Sequence, residues 1–386
     1  MKSIRSKIMW LLFSSVLIVS LIVGAIGIAL TSNVINDSSR ENMRLLCKNN
    51  ADKIDMTFAK IEESVNTLAH YAESELTDIK LLKNDEFREN FSAGIQKNAL
   101  HHIENTVGAA AVYLHYDPTY IGKTDGFYYV KYKETDEFQY HPLTEILAYP
   151  NDDNEHVGWW YIPTVSGTAT WFEAYYDANL GRYIISYVVP IYSNKQLIGV
   201  IGADIFTEHI EDLVKEVSIF NSGQAAILKS DGTVLYHPNF ERGMKIGEGD
   251  PGFEGVIDKL KNNDNTKLIA YSLKGEKKKL TSCKLKNGML MVCFAPEKEI
   301  YHTRNMLELT NVIITGIVVL VALIVAVIVS EKMANPIKKL NEAAKRLSKG
   351  EFEFDIKNES YDEIGELTNT FIRSTRNSQS SNKCAR

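Results

Sequence analysis

Three of the chain's four tryptophans fall within Trp159–Trp171, accompanied by Tyr161, Phe172, Tyr175 and Tyr176. Asp177 follows directly, and Asp204 lies further along. Aromatic faces with a few polar groups are the material of a small-molecule pocket. Rings around a carboxylate suit a cation, held by attraction to the π faces and by charge pairing. The candidate ligand contacts are therefore Trp159, Trp160, Tyr161, Trp171, Asp177 and Asp204, joined by Tyr113 from the strand-like run Ala109–Tyr116. Phe172 and Tyr175 read more simply as core rings.

Other chemistry is weakly supported. Gly122-Lys123-Thr124 has the ending of a phosphate-binding loop, but Asp117 stands where the first glycine belongs. His101 and His102 are adjacent, and neighbours on a helix point apart instead of converging on a metal. Asp152-Asp153-Asn154-Glu155 lacks the glycine and ligand spacing of a calcium loop and reads as a solvated acidic loop. No zinc-protease helix, nucleophile elbow or dinucleotide fingerprint is present. The sequence thus predicts no catalysis, no metal and no cofactor. A net charge of −6 gives no reason to expect nucleic acid as a partner.

The elements that must position these residues lie between two uncharged apolar runs, Ile8–Thr31 and Val312–Val329. Each is long enough for a ~30 Å hydrocarbon core, which takes about 20 helical residues. Lys2, Arg5 and Lys7 precede the first run, and Lys332, Lys338, Lys339, Lys345 and Arg346 follow the second. Basic flanks stay cytoplasmic, so both tails are expected inside and residues 32–309 outside. The first run exceeds the usual apolar core of a signal peptide and reads as an uncleaved anchor. This membrane hairpin already has the layout of a receptor.

Beyond the first run, Cys47, Ala51, Ile54, Phe58, Ile61, Val65, Leu68 and Ala72 recur in steps of four and three. That seam predicts one helix from about Ser38 to Leu76, ~60 Å long at 1.5 Å per residue. It either packs on its own domain or additionally pairs with a second copy. Past Lys83 the texture turns to short strands. Ala109–Tyr116 and Gly126–Tyr132 form one pair, and Arg182–Tyr192 and Gln196–Phe206 another. Gln224–Lys229 and Thr233–His237 flank Ser230-Asp231-Gly232, and Leu280–Leu285 and Met289–Ala295 flank Lys286-Asn287-Gly288. Two α+β modules in tandem follow, divided near Glu208–Ser218. Four cysteines are too few for a disulfide scaffold. Cys283 and Cys293 are placed near each other by the second turn, either bonded or as reduced core thiols.

The blocks Val157–Tyr161, Trp171–Asp177, Ile185–Pro190 and Gly199–Ile205 resemble the membrane-distal module of a double Cache domain. Ser230–Pro238 is similar to the turn of its second module. The resemblance covers roughly residues 35–300 and implies bacterial extracytoplasmic sensing by two PAS-like antiparallel sheets on one long helix. In amino-acid-binding members an arginine two residues before the matching tryptophan grips the ligand carboxylate. Here that position is Gly158, whereas the acceptor of the ligand amine matches Asp204. The resemblance therefore implies a small amine, or another ligand without a free carboxylate.

After the second run, Asn335 can cap a helix starting at Pro336, with Ile337, Leu340, Ala344 and Leu347 as its seam. Gly350 ends it, and Phe352, Phe354 and Ile356 follow in an extended connector. Ser360 and Glu363 form a capping box before Ile364, Leu367 and Phe371. This pattern, with Asp362-Glu363-Ile364-Gly365, resembles a HAMP domain, in which Pro336, Leu340, Ala344, Glu363 and Leu367 carry the relay. Such helices bury their seams as a parallel four-helix bundle of two subunits. The expected division is 1–7 cytoplasmic, 8–31 first span, 32–83 stalk helix, 84–208 distal module, 209–305 proximal module, 310–330 second span, 331–377 HAMP and 378–386 disordered tail.

These readings predict a homodimeric receptor in the bacterial cell membrane, in contact with lipid. It senses a small ligand and relays it to a cytoplasmic output outside this chain or to a separate signalling partner. The outer motifs most resemble receptors ending in diguanylate cyclase or histidine kinase domains, so the regulatory half of a truncated signalling enzyme is an alternative. A surface ligand-binding protein without signalling is a weaker one.

Overall fold

A computed structural model describes residues 4–132, 137–248, 251–253, 255–262, 268–349, 351, 356 and 362–384. The chain divides into two compact units, one made of residues 1–36 with 302–386 and the other of residues 37–301. Helix α1 (Ile4–Glu75) is continuous through the first apolar run and the stalk, with no break between anchor and stalk. No glycine pair or proline interrupts residues 28–75, so nothing in the sequence demands a break there.

In the larger unit, α1 is followed by a 3-10 turn (Ile79–Lys83) and helix α2 (Asp85–Glu104), whose first turn is capped by the Asn84 side chain accepting from Phe87 N–H at 2.8 Å. Sequence reading missed α2, because its mixed polar surface hides a narrow stripe of Ile95, Ala99 and Ile103. Arg88 is buried at its start and is neutralised by ion pairs to Asp85 and Asp125.

Strands β1 (Ala109–Tyr116), β2 (Gly126–Tyr132) and β3 (Glu137–Tyr140) come next, with the short helix α3 (Pro118–Ile121) between the first two. Helix α4 (Asn154–Ser166) leads to β4 (Thr170–Trp171), β5 (Tyr175–Asp177), β6 (Arg182–Ser193) and β7 (Gln196–Phe206). They form one antiparallel sheet, ordered β3-β2-β1-β7-β6-β4, with β5 also on β6. Helix α5 (Thr207–Lys215) then lies between the last strand of this sheet and the first strand of the next. The second module holds β8 (Gln224–Leu228), β9 (Val234–Tyr236), helix α6 (Val256–Asn262), β10 (Ile269–Leu273), β11 (Glu276–Lys284) and β12 (Leu290–Pro296), ordered β10-β11-β12-β8-β9. Strands β3, β4, β5 and β10 are ones the sequence pattern did not reveal.

Side chains alternate across a strand, and the two faces here have different partners. From the first sheet, Val112, Leu114, Tyr187, Ile201, Ala203 and Ile205 join the core that contains α1. Met291, Cys293 and Ala295 of the second sheet join the same core. The whole α1 seam from Cys47 to Ala72 is at most 2% exposed. It is spent on its own chain, so the first of the two alternatives for that seam is the structural one. The opposite face of the first sheet packs Ala111, Tyr113, Val188 and Val200 against Val157, Trp159 and Trp160 of α4.

In the smaller unit, helix α7 (Glu297–Ile300) of the preceding unit gives way to α8 (His302–Leu347) and then α9 (Glu363–Cys384). The stretches of α1 and α8 that contain the apolar runs pass both tests for a membrane-spanning helix, length and composition. They approach closely at Gly24 and Gly27: Asn311 Nδ2 donates to Gly24 O at 3.3 Å, and Ser330 Oγ donates to Arg5 O at 2.6 Å. Pro336 lies inside α8, so Asn335 is not a cap. Proline removes one helical hydrogen bond, and the helix spans that defect instead of restarting. Asp362 Oδ1 accepts from Ile364 N–H and Gly365 N–H at 3.1 and 3.2 Å and caps α9. Ser360, Gly350, Phe352 and Phe354, named in the sequence reading of this region, lie outside the described residues. Helix α9 extends to Cys384, into the segment 378–386 expected to be a tail.

Phe58 is fully buried at the centre of the α1 seam, with its ring 4.9 Å from that of Trp171. Phe58→Ala is expected to cost ~3–5 kcal/mol of stability, as for other buried aromatic truncations. A thermal melt of the purified chain checks this; a midpoint equal to the parent's would show that the seam does not bear on stability.

Candidate functional site

On the α4 side of the first sheet, strand register sets the residues of one cavity. Tyr113 on β1 stands opposite Tyr128 on β2 and Gly202 on β7. Asp204, two residues on along β7, stands opposite Ser186 on β6. A Cβ on Gly202 would sit 2.3 Å from the Tyr113 ring, so only glycine leaves room for that ring across the strand. Helix α4 lays Trp159 over the sheet, its ring 5.3 Å from Tyr113 and 4.7 Å from His115. That helix starts where it does because Asp153, from the acidic run, accepts from His156 N–H at 3.2 Å and serves as its cap.

The cavity has a water-accessible interior of about 10 Å³, within about 250 Å³ of empty space that includes its open mouth, and is lined by Tyr113, His115, Tyr128, Thr144, Trp159, Tyr175, Asp177 and Asp204. Asp204 is 1% exposed. Its Oδ1 accepts from the Ser186 hydroxyl at 2.7 Å, and Tyr175 OH lies 3.0 Å from Ser186 Oγ. Since Ser186 spends its proton on Asp204, Tyr175 must donate to Ser186. Burial pushes the Asp204 carboxyl up to about 8; the Ser186 bond opposes this and the Asp177 charge adds to it. Asp177, 4% exposed, is also raised by burial, against the pull of the Leu180 N–H at 2.8 Å. Burial pushes His115 down to about 3, so it is neutral at physiological pH, and its Nδ1 has no hydrogen-bond partner. No lining residue therefore carries a positive charge, while two carboxyls share one small volume.

Of the sequence candidates, Tyr113, Trp159, Asp177 and Asp204 come together here. Trp160 and Tyr161 do not line the cavity. A helix turns about 100° per residue, so Trp160 is carried into the core beside Trp159, with ring centres 6.3 Å apart, and Tyr161 stands half-buried. Trp171 belongs to the opposite face: its ring lies 4.8 Å from Tyr187, and its Nε1 donates to Glu62 of α1 at 3.4 Å. His115, Tyr128 and Thr144 were not singled out by sequence, and Tyr175 was assigned to the core. His115 carried a usable signal, two residues beyond Tyr113 on one strand; Tyr128 and Thr144 needed the register. Gly158 does not line the cavity, and a Cβ there would meet Asn154 at 3.2 Å.

Among the expected relay residues, Leu340 is buried and Pro336 half-buried, while Ala344, Glu363 and Leu367 are exposed in the single chain. Ala343, not Ala344, is the covered alanine of that turn.

The Asp204 environment gives a pH signature. Its folded-state value of about 8 lies above the usual carboxyl range, so its protonated form stabilises the fold. That contribution is complete below pH ~4 and is lost as pH rises through about 8. Between pH 5 and 9 the melting midpoint of the parent should therefore fall more than that of Asp204→Asn. Parallel pH profiles of the two would refute the assignment.

The chain matches the Cache domain family over residues 31–303 and the HAMP domain family over residues 329–376. It is 28% identical over 180 residues to methyl-accepting chemotaxis protein McpA of Bacillus subtilis, covering 45% of this chain and 25% of that protein. To methyl-accepting chemotaxis protein PctB of Pseudomonas aeruginosa it is 21% identical over 264 residues, covering 66% of this chain and 39% of the other. The chain thus spans between a quarter and two fifths of the length of these curated relatives. The sensory domain of the Campylobacter jejuni chemoreceptor Tlp3 superposes with a TM-score of 0.50 at 18% identity, covering 70% of this chain and 99% of that domain, a likeness of fold. Two antiparallel sheets on one long helix, matched by the family over well over half the sequence, make this chain a member of the Cache domain family that also carries a HAMP domain.

Proposed function

We propose that this chain is the sensory and relay part of a chemotaxis-type transmembrane receptor. In this reading it works as a homodimer in the bacterial cell membrane, with residues 32–309 outside and the HAMP domain inside, and its distal module binds a small organic cation. The carrying observation is the pair of buried carboxyls, Asp177 and Asp204, in an aromatic cavity whose lining holds no positive side chain. A buried charge is costly unless it is paired. An ammonium supplies the missing pair and finds the faces of Trp159, Tyr113 and Tyr128 around it. A zwitterionic amino acid would bring a carboxylate into a site without a cation to receive it.

The relay follows from connectivity. β7 carries Asp204 and runs directly into α5, which joins the two modules. The proximal module ends on β12 and α7, immediately before α8. The open positions Ala344 and Leu367 suit a second subunit's helices, as a HAMP bundle requires. Coupling of ~1–3 kcal/mol would suffice to shift the populations of two such arrangements. The relatives named above favour a chemoreceptor over the regulatory half of a cyclase or kinase.

Two measurements test this. Calorimetry of the purified chain against panels of small amines and amino acids should find selective amine binding. At pH 7 the mostly protonated Asp204 should release close to one proton as the cation binds, read from enthalpies in buffers of different ionisation heat. Selective amino-acid binding, or binding without proton release, would reject the cation reading. For the relay, Ile337→Cys should show crosslinking between subunits that changes with saturating ligand, and an unchanged yield would argue against transmission.

A further inference from the structure

Three thiols meet where α1 crosses the second sheet. Cys47 and Cys293 are fully buried and Cys283 is half-buried; all three are free. Strand register places Thr281 opposite Cys293 and Cys283 opposite Met291, so the two strand cysteines are diagonal neighbours offset by two residues. Direct pairing across that diagonal is unfavourable, since diagonal neighbours lie ~7–8 Å apart and a disulfide wants Cα atoms within ~7 Å. Cys47 fills the gap from above. Its Sγ is 3.7 Å from Met291 O and 3.9 Å from Thr281 O, the residues that stand opposite Cys283 and Cys293 across the hairpin. Among the described residues no group of three His, Cys, Asp or Glu is arranged to hold a metal.

We propose that Cys47 and Cys283 form a disulfide that fastens α1 to the β11–β12 hairpin of the proximal module. Cys283 is the entry point because it alone of the three reaches solvent. Its thiolate attacks an external disulfide, as a disulfide oxidoreductase or a small-molecule disulfide would present. The product is a mixed disulfide, and one external thiol leaves. The Cys47 thiolate, having given its proton to solvent, then attacks the Cys283 sulfur and expels the second external thiol. Two chain thiols are oxidised and one external disulfide is reduced to two thiols. The Cys47 bond and burial raise the Cys283 thiol; at Cys47 the Cys283 bond lowers the thiol, but the Cys293 bond and burial raise it further, so the reduced pair persists until such a reagent arrives. The proposal uses the extracytoplasmic placing of this region, where disulfides persist.

The same hairpin is already held to α1 at its tip. Lys286 N–H donates to Asp55 Oδ1 at 2.8 Å, and Lys286 Nζ pairs with Glu62 at 2.7 Å. A covalent tie at Cys47, two helical turns nearer the start of α1, would leave the hairpin no freedom to slide along the helix. It would thereby fix the proximal module in one arrangement.

The test uses the purified full chain, treated with oxidised glutathione at pH 8.5, then denatured, alkylated and peptide-mapped. A Cys47–Cys283 linked peptide is expected in the parent and in Cys293→Ser. Both should also show a rise in melting midpoint that dithiothreitol reverses. Cys47→Ser and Cys283→Ser should lack the link and the shift. Glutathione retained on Cys283 with Cys47 still alkylated, or a Cys283–Cys293 link in its place, would overturn the proposal. Because the parent's peptide map needs no variant, poor folding of a serine variant leaves the result readable. The outcome is also independent of ligand identity and of membrane orientation.

Discussion

One helical face holds the larger unit, residues 37–301, together. From Cys47 to Ala72 the seam of α1 is closed against two sheets that otherwise belong to separate modules. Apolar burial is non-directional and scales with area, so a continuous stripe can serve both modules at once. Polar contacts then set their register. Glu173 accepts from Ser230 N–H at 2.9 Å, and Asn287 Nδ2 donates to Phe172 O at 3.4 Å, joining the segment before β5 to two turns of the proximal module. That segment ends in Tyr175 and Asp177, two walls of the cavity.

The cavity itself is a balance between desolvation and charge. Burial alone drives Asp204 towards its neutral form, and the neighbouring Asp177 makes two ionised carboxylates costlier still. Ser186 and Tyr175 form a short hydroxyl relay that keeps the Asp204 oxygen oriented without neutralising it.

The smaller unit differs, because its apolar stretches have the length and composition of membrane-spanning helices. Small residues at Gly24 and Gly27 and the polar Asn311 allow close helix approach and hydrogen bonding, the means by which helices associate in lipid. Past Pro336 the helix becomes amphipathic again. Leu340 and Ala343 are covered while Leu367 is 59% exposed, a half-filled seam of the kind a second subunit completes.

Much of this was legible in the sequence. The α1 seam, eight of the strands and both apolar runs follow from periodicity and turn chemistry, which are local properties. So was the pairing of aromatic rings with Asp177 and Asp204. Tertiary structure decided which of those rings face the cavity. Trp159, Trp160 and Trp171 are equivalent as residue types, but helix rotation and strand alternation send one to the cavity, one to the core and one to α1. It also brought in His115, Tyr128 and Thr144 and set Cys47 beside Cys283, 236 positions away. Such meetings depend on strand register and on helix placement across the sheet, and a local pattern of residues contains neither.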